Sequence, residues 1–163
     1  MRSMLVIASL VAVASAALAS QATGKTTTVA ASATFAEPLT PALNSGCLPS
    51  PSYGVCGSGE VIPFGHATES VVFGGACDGS CDLRTINLAA GSIYADEYFS
   101  NPTCPGVCRG RGPTGGPAFG TLTDVIVGGS GIFAGASGTL NGSVTGAGLT
   151  GVAQLSGTIT LGT

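Results

Sequence analysis

The sequence predicts an all-β protein: a single antiparallel barrel of about eight strands with disulfide-stapled loops and almost no helix past an N-terminal leader. Three observations carry that expectation. Short runs rich in Val, Ile, Thr and aromatic residues recur from residue 60 onward, separated by glycine clusters. The last two runs alternate apolar and polar residues with period two, as half-buried strands do. Residues 125–163 hold no charged side chain, so an open edge strand there would invite pairing with other chains. Closure removes that edge. A two-sheet sandwich is the alternative.

Residues 1–19 read as a secretory signal peptide. Arg2 supplies the basic start, Met4 to Ala14 is apolar except for Ser9, and Ala17-Leu18-Ala19 places small residues where a signal peptidase reads them. Cleavage is expected after Ala19, with Ala14-Ser15-Ala16 as the second choice. A membrane anchor would need about 20 apolar residues, and this run is shorter. The domain proper is then 20–163, with no membrane span and an extracellular location.

A first strand is expected near Val29 to Ala36. Residues 37–59 hold four of the 9 prolines together with Cys47 and Cys56, and read as a stapled loop. Strands follow near 60–66, 68–74, 82–88, 92–99, 119–127, 131–134, 138–146 and 151–161, with a hairpin turn at 89–92. Residues 100–118 read as a long irregular loop pinned by Cys104 and Cys108. In the C-terminal strands Leu140, Val144, Leu155, Ile159 and Leu161 are expected to face the barrel interior, and Asn141, Gln154 and Thr158 to face water. Gly142 and Gly157 fall on the buried side, which suits tight strand curvature. Asn141-Gly142 is also a hairpin dipeptide, but the alternation runs straight through it, so a continuous strand is preferred.

Composition excludes several function classes. Only 8% of the 163 residues are charged, against roughly 25% in ordinary soluble domains. Lys25, Arg84, Arg109 and Arg111 are the only basic residues after the leader, too few to neutralise a nucleic-acid backbone. Arg109 and Arg111 share one glycine-rich loop and are read as keeping it soluble. Even cysteine numbers in an exported chain imply disulfides. Six cysteines allow fifteen pairings; clustering into near neighbours favours Cys47–Cys56, Cys77–Cys81 and Cys104–Cys108. The two Cys-x-x-x-Cys spacings would also suit a zinc site, but export into an oxidising compartment argues against it. No metal and no cofactor are expected, and the sequence sets no oligomeric state.

Residues 125–134 imitate a dinucleotide fingerprint, Gly129-x-Gly131-x-x-Ala134 after an apolar strand. The fingerprint works only where a helix begins, and Gly135-Ala136-Ser137-Gly138 cannot sustain one. Nucleotide binding is rejected. The same segment, Gly128-Gly129-Ser130-Gly131-Ile132-Phe133-Ala134-Gly135-Ala136-Ser137-Gly138, resembles the glycine-rich signature of the allene oxide cyclase and dirigent barrel superfamily, in the manner of bacterial secreted members. The likeness covers about residues 121–161. It implies an eight-stranded antiparallel barrel with an apolar cavity, which in the plant families hosts fatty-acid epoxide cyclisation or guided phenol coupling. The catalytic residues of those families lie outside the matched segment, so none is carried over.

Three ionisable residues fall on apolar strand faces. Glu97 shares a face with Ile93, Ala95 and Phe99; Asp124 with Leu122 and Ile126; and His66, the only histidine, with Ile62 and Phe64. Inside an apolar barrel a carboxylate would have a raised pKa and could act as a general acid or base. The blander reading, preferred here, turns those faces to water or places the residues at a rim. No Gly-x-Ser-x-Gly elbow leads into a helix, so a serine triad is unsupported. Asn141-Gly142-Ser143 is a glycosylation sequon where the host glycosylates. The leading function is binding of a small apolar molecule in the barrel without catalysis. The alternatives are a cyclase- or isomerase-like enzyme with an interior carboxylate, and a structural protein with a filled barrel.

Overall fold

The computed structural model describes residues 25–38, 47, 54–100, 118–147 and 150–162. Eight strands run in chain order around a closed antiparallel barrel: β1 (Thr27–Pro38), β2 (Gly54–Ile62), β3 (Gly65–Ala76), β4 (Cys81–Leu88), β5 (Gly91–Ser100), β6 (Ala118–Gly129), β7 (Ser137–Ala147) and β8 (Thr150–Leu161). Each strand pairs with its neighbours in sequence. β1 closes the ring on β8 in unbroken register from Thr27 opposite Leu161 to Pro38 opposite Thr150. The sandwich alternative is thereby excluded, and no edge is left for the charge-free C-terminal strands to expose.

Alternation decides which side chains go inside. On β1, Ala31, Ala33, Phe35 and Glu37 are buried while Ser32, Thr34 and Ala36 are exposed. On β7 and β8, Leu140, Val144, Leu155 and Ile159 are buried, and Leu161 packs half-buried against the core. Asn141, Gln154 and Thr158 face out. The strand is continuous through Asn141-Gly142. A Cβ on Gly142 would stand 1.7 Å from the Gln154 carbonyl oxygen, and one on Gly157 2.0 Å from that of Thr139. Both glycines therefore serve a close approach of two curved strands.

The structure differs from the sequence expectation in three places. Residues 37–59 are not all loop: β1 continues to Pro38, and β2 already begins at Gly54. The run at 60–66 is the end of β2, a turn at Pro63-Phe64 in which Phe64 N–H donates to Val61 O at 2.6 Å, and the start of β3. Residues 131–134 are not a strand; Gly131–Phe133 form one 3-10 turn, and Cys77–Gly79 form another. Phe133 folds inward from its turn and meets Phe64 edge to face at 5.0 Å, so two rings cap the same end of the barrel.

Cys47–Cys56 and Cys77–Cys81 are disulfides. The first ties the segment before β2 to β2 itself, and the second closes the β3–β4 hairpin. Cys104–Cys108, the leader at 1–19, Arg109 and Arg111 lie outside the described residues. No helix among the described residues is long and apolar enough to cross a membrane.

Candidate functional site: a carboxylate cluster around Arg84

β4 reads Asp82, Leu83, Arg84, Thr85, Ile86. Ile86 belongs to the apolar core, so period two also sends Arg84 inside; a one-residue slip would expose Ile86 and bury Asn87. The same parity carries Glu37 inward beyond Phe35 on β1, and Glu69 inward between Ala67 and Val71 on β3. It carries Glu97 beyond Ala95 on β5 and Asp124 between Leu122 and Ile126 on β6. Five strands thus place five charged side chains in one interior volume. Arg84 is 1% exposed and Asp124 0%. The outward reading of Glu97 and Asp124 is corrected: the apolar residues sharing their faces are the core itself. His66 does lie outside, exposed like Ile62, because the turn at Pro63-Phe64 breaks the face that the sequence suggested for all three.

Arg84 is the hub. Its Nε donates to Glu97 Oε2 at 2.7 Å, and Nη2 donates to the same oxygen. Nη1 donates to Glu69 Oε2 and lies 4.0 Å from Glu37 Oε1. Asp124 Oδ2 sits 3.0 Å from Nε, an ion-pair contact off the N–H direction that leaves both Asp124 oxygens without a hydrogen bond. Glu69 Oε1 is likewise buried without a hydrogen-bond partner. Asp82, one step toward the β3–β4 hairpin, accepts from the Gly74 N–H at 2.7 Å.

One guanidinium cannot neutralise four carboxylates. Burial pushes the Glu97 carboxyl up to about 7, against the pull of Arg84 and with Asp124 adding to the rise. Burial likewise raises Asp124 and Glu37 above the usual carboxylate range, and Arg84 lowers both only in part. For Arg84 burial opposes the charge, but Glu97, Asp124 and Glu37 outweigh it and hold the guanidinium firmly protonated. Burial in this interior therefore favours the protonated form of Glu97, Asp124 and Glu37.

One member reaches a cleft. Glu37 lines a space of about 350 Å³ at the β1–β2–β8 end of the barrel, together with Ala36, Pro38, the Cys47–Cys56 disulfide, Gly57, Ser58 and Thr150. Gly57, opposite Glu69 across the β2–β3 ladder, is there for space: a Cβ would stand 2.6 Å from Glu69 Oε1. Elsewhere, sulfur atoms of Cys77 and Cys81 lie near the Asp96 carboxylate, but the disulfide leaves no thiolate for a metal.

The sequence reading singled out Glu97 and Asp124 but missed Arg84, Glu37 and Glu69. Each of the three sits on the same parity as neighbouring core residues, and that signal was present in the chain. Comparison with protein-family models, curated proteins and solved structures finds no match for the chain.

Proposed function

We propose that the chain is an exported barrel that binds a small, largely apolar molecule at its β1–β2–β8 end and does not turn it over. The observation that carries this reading is the cleft of about 350 Å³ walled by Ala36, Pro38 and the Cys47–Cys56 disulfide, with buried Glu37 as its polar contact. Its size falls in the lower part of the range for small-molecule sites, about 300–1,000 Å³, and a few polar groups, here Glu37, Ser58 and Thr150, among apolar walls are their usual make-up. The opposite end of the barrel is packed with its own side chains, Phe133, Ile86, Ile93 and Ile159 among them. A ligand is therefore assigned to the mouth. Export is supported by the leader pattern at 1–19 and by two disulfides, which persist in oxidising compartments.

The test is a titration of the oxidised protein with Nile red, a neutral apolar fluorophore, followed by the variant Ala36→Trp. Ala36 is exposed and points out of the barrel, so an indole there obstructs the cleft without entering the core. Binding weakened at least about tenfold by the variant is expected, and unchanged binding refutes the assignment.

A second reading, an isomerase- or cyclase-like enzyme, draws on the burial of Glu97 among the core residues of β5, which pushes its carboxyl up to about 7, the range that suits a general acid or base at neutral pH. The closed eight-stranded barrel is also what the resemblance to the allene oxide cyclase and dirigent superfamily implies. Turnover of an epoxy fatty acid or a phenol that disappears in Glu97→Gln would establish it in place of the first reading.

A further inference from the structure

We propose that the cleft takes an organic cation: a molecule with an apolar body and a protonated amine, whose ammonium group sits between Glu37 and the Gly57 wall. The inference rests on the reading above, that the cleft is a ligand site, and adds the class of ligand.

Four facts converge on this chemistry. Among the described residues the interior holds one cation against the carboxyl groups of Glu37, Glu69, Glu97 and Asp124, so the acids outnumber their counter-charge. Arg84 stands at the centre and already engages Glu97 and Glu69, so a second cation has to enter at the periphery. Of the four carboxylates, Glu37 is the one lining the cleft, and it has the longest contact with Arg84, 4.0 Å. Behind Gly57, and not itself lining the cleft, Glu69 Oε1 is fully buried without a hydrogen-bond partner, which adds to the unbalanced acceptors of the interior.

An ammonium group suits Glu37, because it carries three donors and one positive charge. Bound beside Glu37 it replaces a proton there, so the net charge of the interior is unchanged. A carboxylate ligand would add to an excess already present. A hydrated metal ion would leave the apolar walls at Ala36, Pro38 and Cys47–Cys56 without a partner. An amine with an alkyl or aryl body covers the walls and the acid together.

The experiment compares three probes of one chain length on the full oxidised protein by titration calorimetry at pH 7.5: octylammonium chloride, 1-octanol and sodium octanoate. Octylammonium is expected to bind at least about tenfold more tightly than 1-octanol, with octanoate weakest. Glu37→Gln should remove most of that preference and leave 1-octanol within about twofold. Ala36→Trp, at an exposed position, should weaken both, and it keeps the test decisive should Glu37→Gln fail to fold. Equal binding of octylammonium and 1-octanol overturns the cation inference but leaves the cleft as a binding site. Octanoate binding best overturns it in favour of Arg84 as the recognition group. Octylammonium binding that ignores Ala36→Trp also overturns it, as attraction to the acidic surface. Failure of all three probes, and of Nile red, removes the site itself.

Discussion

Replacing Glu97 by Gln should flatten the pH dependence of folding stability, by an amount that follows from the geometry around Arg84. Glu97 is 4% exposed, and its carboxyl rises from 4.5 to about 7 because burial outweighs the attraction of Arg84. Its folded pKa thus lies above the unfolded one, so between those values the folded chain holds more protons than the unfolded chain. The associated stability is full below about pH 4.5 and is lost as pH rises through about 7. At about 1.4 kcal/mol per pKa unit, the loss from this one group is roughly 3 kcal/mol, a sizeable part of a typical total of about 5–15. Glu37 and Asp124 are raised in the same direction and steepen the same slope.

Gln has the shape of the protonated acid, cannot ionise, and its carbonyl can still accept from Arg84 Nε. Between pH 4.5 and pH 8 the stability difference should therefore shift toward the variant by roughly 3 kcal/mol. Urea denaturation followed by circular dichroism, with disulfides intact and ionic strength fixed, measures it. Wild-type stability that rises across this window would show that Arg84 keeps Glu97 ionised. Two parallel curves would show that Glu97 does not titrate there. Either result refutes the account of the cluster given above.

Arg84→Met should cost about 3–5 kcal/mol at pH 8, because it strands buried carboxylates, and less at pH 5, where Glu97 is protonated; the same denaturation series reads both values. Leu140→Ala should cost about 2–5 kcal/mol, whereas Asn141→Ala, one residue on and facing water, should cost less than about 1, a contrast that a one-residue change of register would reverse. N-terminal sequencing of protein recovered from the culture medium should begin at Ser20, and recovery of Met1 would contradict the leader assignment.

The C-terminal strands were legible because nothing interrupts their alternation: Leu140 and Val144 on β7, and Leu155, Ile159 and Leu161 on β8, repeat every second or fourth residue with no charge to confuse the faces. β2 was not, because its inward series is Val55, Gly57, Gly59 and Val61. Two of those four positions are glycines, and their task is closeness: a Cβ at Gly59 would stand 1.8 Å from the Thr34 carbonyl oxygen. A hydrophobic pattern cannot register a residue chosen for having no side chain. The charged interior failed for a different reason. Glu37, Glu69, Asp82, Glu97 and Asp124 are buried, most of the 8 acids in the chain, yet Glu37 falls where the sequence reads as a loop and each of the others alone reads as a solvated exception on a strand. Taken strand by strand the solvated reading is the cheaper one, since an unpaired buried charge costs several kcal/mol. It ceases to be cheaper once Arg84 is placed on the same parity as Ile86, because one buried cation then gives the inward carboxylates a common partner. What identifies the interior is therefore a correlation among β1, β3, β4, β5 and β6. Closure of the barrel supplies it, by turning four carboxylates on separate strands into neighbours around a single guanidinium.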